Sequence, residues 1–491
     1  MSSSWIIDAS CLSHDGQKWT CATRSIEIAS GRIVALHERA EPGSTDSVIN
    51  GSGLLAMPGL VNAHTHSPDN LLRGSAPQLP LELWSLYSAA GREGRTPRQC
   101  YVSACLGAIE MLRTGTTAVL DHVRISPDLD PDCLDAVAQA YADIGMRAVI
   151  APIVADRPVA ETLPLDAADL RDIDLAAYGL RRGLPGQEQL AIAADFAARW
   201  HGRFDRIMAG IGPSAAQRCS DELLLGAGAL AAQQGLVLHL HALETNAQQA
   251  IGHRLYGKGT LAHLEDLGLL GSRTNLAHAI WLEGDDLDRL ARTDTAIVHN
   301  PVSNARLGSG FCPLPRYLAR GVRVGLGTDS ACCNDSNNLF ETTKWAGLLH
   351  NLVTPYAEWV EADTTLRLAT RGGADVIGLG PDIGNIAPGQ VADITLIKLD
   401  TPAFVPLHDP VRQLVLSENG SSVAHVMVNG EWVLRDGACT RVDVGSIWQE
   451  GRDIAARHRR DNAPVYQHAA KLAAPIEAMY ARLQPQGGPT R

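Results

Sequence analysis

Between about residues 60 and 330, short apolar runs alternate with stretches whose apolar positions recur every three or four residues. Runs at 60–66, 116–122, 147–153, 207–211, 236–241, 275–278, 296–299 and 323–328 predict eight strands. Intervening segments such as 100–113 and 133–144 carry the helical period and predict amphipathic helices. Eight strands with helices between them, over roughly 320 residues, predict an α/β fold of the (β/α)8 barrel type. A doubly wound sheet is the competing arrangement, but no GxGxxG follows the early strands to favour a dinucleotide fold.

The pattern changes at both ends. Short strands are expected at 5–9, 24–28, 32–37 and 48–50, punctuated by Gly31 and Pro42-Gly43. Segment 392–399 is again strand-like, and 426–433 carries Asn429-Gly430 at its centre, a hairpin signal. Two separated β-rich segments predict one small β-sandwich built from both chain ends, 1–58 and 379–446. The barrel then occupies 59–378. A helical tail follows over 447–491, with helices at 447–458 and 466–483 and disorder from Gln484 to Arg491.

Composition narrows the function classes. Hydrophobic residues make up 45% and charged residues 20%, an ordinary soluble balance. A net charge of -12 argues against a nucleic-acid or anionic-membrane partner. The N-terminus lacks the basic and apolar regions of a signal peptide, and no run approaches the roughly 18 apolar residues of a membrane span. Ten cysteines without a CxxC pair fit reduced thiols, so the expected location is cytoplasmic. The vicinal Cys332-Cys333 reads as packing or pocket lining. Lysine is scarce: Lys18, Lys258, Lys344, Lys398 and Lys471 are all there are, and none lies between His64 and His241.

Candidate chemistry sits at the strand ends. In Ala63-His64-Thr65-His66 alternation puts both imidazoles on one face, a half-site for a transition metal. Other predicted strands end in His241, His278, His299 and Asp329, and in a barrel such ends share one mouth. His64, His66, His241 and Asp329 are expected to hold one Zn²⁺, with Fe²⁺ as the alternative and a position left for water. Glu244, just past the fifth strand, is placed as proton carrier together with Asp329. His278 would hold the attacking oxygen and polarise the electrophile. His122 reads as structural; His239 either lines the site or fills a barrel layer.

The chain resembles the amidohydrolase superfamily, in the branch of cytosine deaminase-like, adenosine-derivative deaminase and s-triazine hydrolase enzymes. The matching residues are Pro58-Gly59-Leu60-Val61-Asn62-Ala63-His64-Thr65-His66, Leu71-Leu72-Arg73-Gly74, His241-Ala242-Leu243-Glu244-Thr245 and Ala277-His278. They continue with His299-Asn300-Pro301, Ser303-Asn304, Leu307-Gly308, Gly327-Thr328-Asp329 and Gly389-Gln390-Val391-Ala392-Asp393. The resemblance implies the barrel-plus-sandwich architecture and the metal roles above. It also implies hydrolytic displacement at an sp² carbon of a nitrogen heterocycle or amide; the expected reaction is loss of an amino group from a triazine, pterin or purine to activated water. Many relatives hold two metals bridged by a carbamylated lysine of the fourth strand. With no lysine near 207–211, a mononuclear site is expected.

Departures from the family bear on substrate. Adenosylhomocysteine-type deaminases carry a histidine where Gly212-Pro213 is followed here by Ser214, and an arginine where this chain reads Ala151-Pro152-Ile153. The expectation therefore leans away from an adenosine derivative, although Glu93 matches a ribose-binding glutamate. Residues 329–336 resemble the strand-eight loop of triazine hydrolases, which places Ser330 and Cys333 beside the leaving group. The expected pocket comprises Glu93, Ser214, His239, His299, Asn304, Ser330 and Cys333, with loop 157–187 as a cap or a surface insertion. Rival readings on the same scaffold are amide or urea hydrolysis and hydrolytic dehalogenation; a non-catalytic interaction protein is the remote one. The expected partners are a small heterocyclic substrate and further copies of the chain, as a homodimer or larger.

Overall fold

The computed structural model describes residues 3–92, 94–166, 183–471 and 473–483. Eight parallel strands run in sequence order: β6 (Leu60–Thr65), β7 (Thr116–Val123), β8 (Arg147–Val154), β9 (Ile207–Pro213), β10 (Val237–Ala242), β11 (Thr274–His278), β12 (Ala296–His299) and β13 (Val324–Leu326). Each lies on one of the apolar runs, and ends differ by a few residues. Alternate residues of β7, Val119 and Val123 against Ala118 and Leu120, belong to different buried clusters, as a strand covered on both faces requires.

The crossover helices begin where the chain supplies caps. Thr96 and Gln99 form a reciprocal capping box before Pro97–Arg113. Asp130 caps Pro131–Ile144, and Gly145 ends it at φ 81°. Polar bonds between β6 and the end of β13 close the ring. Thr328 N donates to Asn62 Oδ1 (3.0 Å), Asn62 Nδ2 to Thr328 Oγ1 (2.8 Å) and Asp329 N to the His64 carbonyl (2.9 Å). A Cβ at Gly327 would lie 2.8 Å from His64 Cβ and 2.3 Å from Asn300 Oδ1, so only glycine permits this approach. The closure therefore brings Asp329 onto the first strand's histidines.

Both chain ends build the second unit. β1 (Ser4–His14), β2 (Trp19–Ala29), β3 (Arg32–His37), β4 (Ser47–Asn50) and β5 (Leu54–Pro58) join β14 (Ile394–Lys398), β15 (Val423–Val428), β16 (Glu431–Arg435) and β17 (Ala438–Cys439). They form one continuous mixed sheet of nine strands, in the order β17-β16-β15-β14-β5-β1-β2-β3 with β4 beside β1. The antiparallel β5–β14 pair stitches the two chain ends together. Asn429 (φ 53°) and Gly430 (φ 75°) make the two-residue turn of the β15–β16 hairpin. At the barrel foot, Arg147 of β8 is buried against Asp393 of this sheet.

The tail holds three helices among the described residues, Val444–Asp461, Ala463–Lys471 and Ala473–Leu483, where two were expected. Its first helix starts earlier because Asp443 accepts from the amides of Gly445 and Ser446. The expected disorder at 484–491 falls outside the described residues. Among them, no helix is long and apolar enough to cross a membrane.

Candidate active site

His64 and His66 stand at the end of β6, His241 near the end of β10, His278 at the end of β11 and Asp329 just past β13. Their side chains converge. Asp329 Oδ1 lies 3.4 Å from both His64 Nε2 and His66 Nε2, and the Nε2 atoms of His66 and His241 are 3.3 Å apart.

Hydrogen bonds on the far side of each ring fix which nitrogen faces inward. His66 Nδ1 donates to the His122 carbonyl and His241 Nδ1 to the Ser214 carbonyl, both at 2.6 Å. His64 Nδ1 bonds His239 Nε2 at 2.7 Å, while His239 Nδ1 is bonded to Asn275 Oδ1 and Asn275 Nδ2 donates to the Val376 carbonyl. Because Asn275 Oδ1 can only accept, His239 carries its proton on Nδ1 and takes the His64 proton on Nε2. All three candidate ligands thus aim an Nε2 lone pair at the space beside Asp329, the second-layer arrangement that metal-binding imidazoles need.

The donor set fits a divalent ion. His64 Nε2 is buried without a hydrogen-bond partner, an unsatisfied atom that a cation would satisfy. Burial keeps His64 and His66 neutral, pulling each pKa down to about 4. Ser303 Oγ and Ser330 N donate to the two Asp329 oxygens at 2.7 Å each, which orients the carboxylate. Leu243, His278, Ala279 and Asp329 all hold the left-handed backbone region, with φ of 49°, 75°, 44° and 61°. Four non-glycine residues in that region at one mouth mark a site whose geometry the surrounding fold imposes.

Glu244 Oε2 and Asp329 Oδ2 each lie 3.7 Å from His278 Nε2. His278 Nδ1 bonds Asn304 Oδ1 at 2.8 Å, so its Nε2 faces the cavity as a lone pair. Burial, with Asp329 and Glu82 nearby, pushes the Glu244 carboxyl well above its ordinary range. A carboxyl whose charged form burial disfavours, an imidazole and a second carboxyl therefore stand side by side.

A cavity of about 270 Å³ opens on these groups, and Ser214 and Cys333 line it. Four other expected pocket residues sit behind the wall. His239 supports His64, and Asn304 supports His278. Ser330 Oγ donates to Asp69 Oδ2 (2.6 Å), and His299 is buried with its ring 5.4 Å from that of His350. Strand periodicity places His239 and His299 on a face but gives no depth, and helix residue Asn304 and loop residue Ser330 carry no local sign of it either. His122 stands in the same imidazole cluster as the candidate ligands, with Nε2 bonded to the Gly212 carbonyl at 3.2 Å. Glu93 and 167–182 of the expected cap lie outside the described residues, while Val159, Thr162 and Leu163 from the start of that loop line the cavity.

Sequence reasoning missed Asp69, Glu82, Arg92, Arg124 and Arg218 on the cavity wall. Glu82 accepts from Thr245 Oγ1 (2.6 Å) and from the hydroxyl of Tyr480 in the last helix, so the tail reaches the site. Asp69, three residues past His66, was the one missed group with a local signal. Its two oxygens bind Arg92 Nη1 at 2.8 Å each.

Known proteins resemble this chain over most of its length. The profile described as "Amidohydrolase family" matches residues 55–433. A 5'-deoxyadenosine deaminase of Methanothermobacter thermautotrophicus is 36% identical over 416 residues, 84% of this chain and 90% of that protein. A 5-methylthioadenosine/S-adenosylhomocysteine deaminase of Nitratidesulfovibrio vulgaris is 34% identical over 91% of this chain and 96% of its own length. Among solved structures, an adenosine deaminase from Xanthomonas campestris with bound zinc superposes with a TM-score of 0.82 at 28% identity, covering 94% of this chain and 99% of that one. The atrazine chlorohydrolase of Arthrobacter aurescens TC1, complexed with zinc, gives 0.84 at 26% identity, with 92% of this chain and 100% of that one covered. The chain belongs to the amidohydrolase family and is an enzyme that acts on C–N bonds.

Proposed function

We propose that this chain is a hydrolytic deaminase that exchanges an amino group on an sp² carbon of a nitrogen heterocycle for oxygen. It holds one zinc ion on His64, His66, His241 and Asp329. The observation that carries the reading is the fixed set of tautomers: each imidazole gives its Nδ1 proton away and keeps an inward Nε2 lone pair beside Asp329. A bound ion supplies the Lewis acidity that makes water nucleophilic near neutral pH. The lack of lysine near β9 supports a single ion, and Fe²⁺ remains the rival metal.

The chain's own groups handle the protons. His278 holds the attacking water through its Nε2 lone pair; polarising the electrophile as well would require a second proton on the ring. Asp329 accepts a proton from that water, and Glu244, whose protonated form burial favours, hands one to the departing amine. The carbon gains oxygen and loses ammonia, and the proton count closes.

The relatives' names bring adenosine derivatives back into the substrate set that the sequence leaned away from. At the first departure, the Ser214 carbonyl supports His241, while its hydroxyl faces Arg124. The test combines elemental analysis with ammonia release from 5'-deoxyadenosine, 5-methylthioadenosine, aminotriazines and pterins. One equivalent of zinc with ammonia from at least one compound is expected. Release of chloride alone from a chlorotriazine would favour the dehalogenase reading, as the chlorohydrolase likeness allows. The exposed Leu348, Leu352, Val353 and Tyr356 support a homo-oligomer, which light scattering tests.

A further inference from the structure

Three guanidinium groups face the catalytic cavity, and they are not equivalent. Arg92 is neutralised by its bidentate contact with Asp69. Arg124 follows β7 and Arg218 lies five residues past β9, so both belong to the same mouth as the candidate ligands. Among the described residues neither forms an ion pair, although Asp69 favours the charged form of Arg124 and Asp156 that of Arg218. Arg124 Nη2 donates to Ser214 Oγ (2.6 Å), and Arg218 Nη1 lies 3.4 Å from Thr162 Oγ1. Asp156, which acts on Arg218, is already engaged, with one oxygen on Ser220 N (2.7 Å) and the other on Ser220 Oγ (2.5 Å).

Two like charges on one part-buried wall oppose each other. Burial first, and then Arg92 and Arg218, push the Arg124 guanidinium down to about 9. An adjoining chamber of about 160 Å³ shares Arg124 and Arg218 and adds Arg157, whose Nη1 is buried without a partner. Uncompensated buried charge is costly, and planar guanidinium forks match oxyanions. A bound anion between these side chains removes the repulsion and supplies the missing acceptors.

We propose that Arg124 and Arg218 form an oxyanion subsite of the catalytic cavity, so that the preferred substrate is an aminoheterocycle carrying a carboxylate or phosphate group. The proposal rests on the deaminase reading for its reaction, but not for its binding. Ser214 is part of it, because its hydroxyl positions Arg124 on the wall.

The test compares matched pairs: pterin against pterin-6-carboxylate, and 5'-deoxyadenosine against adenosine 5'-monophosphate. The anionic member of at least one pair is expected to have a kcat/KM roughly 10–100-fold higher, the range of one or two charge-assisted bonds. Which pair responds tells carboxylate from phosphate. In Arg124→Met and Arg218→Met the ratio within that pair should fall to about threefold or less, whatever happens to absolute rates. A wild-type ratio near one in both pairs, or a ratio unmoved in both variants, overturns the subsite. Calorimetric binding of pterin-6-carboxylate to metal-free protein separates the two readings. Arginine-dependent binding without ammonia release from any compound sinks the deaminase and keeps the subsite. Ammonia release with no anionic preference does the reverse.

Discussion

At the foot of the barrel, Arg147 uses its guanidinium on three acceptors: Nε and Nη2 on Asp393 (2.8 and 3.1 Å) and Nη1 on the Asp205 carbonyl (2.7 Å). Asp393 Oδ1 also accepts the Asn429 amide at 2.7 Å. At the mouth, His64 Nε2 and His278 Nε2 are equally buried yet have no partner, and four neighbouring residues hold left-handed backbone. An unmade buried hydrogen bond costs about 1–3 kcal/mol, and such backbone about the same per residue. At the foot the Arg147–Asp393 pair is fully engaged and fastens the two units together. The mouth leaves lone pairs and a carboxyl with a raised pKa open to a ligand, and relies on the rest of the fold to hold them there.

This contrast can be broken by experiment. Asp329→Ala should lose the bound metal and all turnover while the protein stays folded; a full equivalent of metal in the purified variant would remove the mouth from the metal assignment. Glu244→Gln should keep the metal but lower kcat by roughly 10²–10⁴-fold, the size of a general acid–base contribution. Undiminished ammonia release from that variant would assign the proton transfer elsewhere. Arg147→Met should leave metal content intact and lower unfolding free energy by about 3–5 kcal/mol, because Asp393 is left buried and unpaired. Should denaturant titration show no change, the foot would not be the fastening that its geometry suggests. Asn275→Leu acts at the smallest scale. Loss of the acceptor that orients His239, and through it His64, should weaken metal affinity by about 10–100-fold with little change in fold. Competition with a chelator measures it, and an unchanged affinity would reduce the relay to packing.

Much of this was legible in the residues. Apolar runs located all eight barrel strands, since a strand needs only local alternation or continuity to declare itself. Asn429-Gly430 announced its hairpin because both positions demand positive φ. The His64 and His66 side chains shared a face for the same period-two reason. Depth was not legible. His239 and His241 have the same parity on β10, yet one supports His64 from below while the other faces the cavity. Nor were the wall residues Glu82, Arg124 and Arg218, because helix and loop positions give no local sign of the cavity they meet. The motif residue Asp393 was visible as a match, but its partner Arg147 lies 246 positions away.

The order of strands, the turn residues, the glycine at 327 and the lysine-poor stretch are properties of neighbours along the chain, and the sequence alone determined them. Tertiary structure decided which imidazole nitrogen looks inward, that burial raises the Glu244 carboxyl, and that two arginines share a wall without an ion pair to an acid. Those outcomes depend on burial and on partners brought together from distant strands. No local pattern encodes them, because the field at a buried atom sums over everything packed around it.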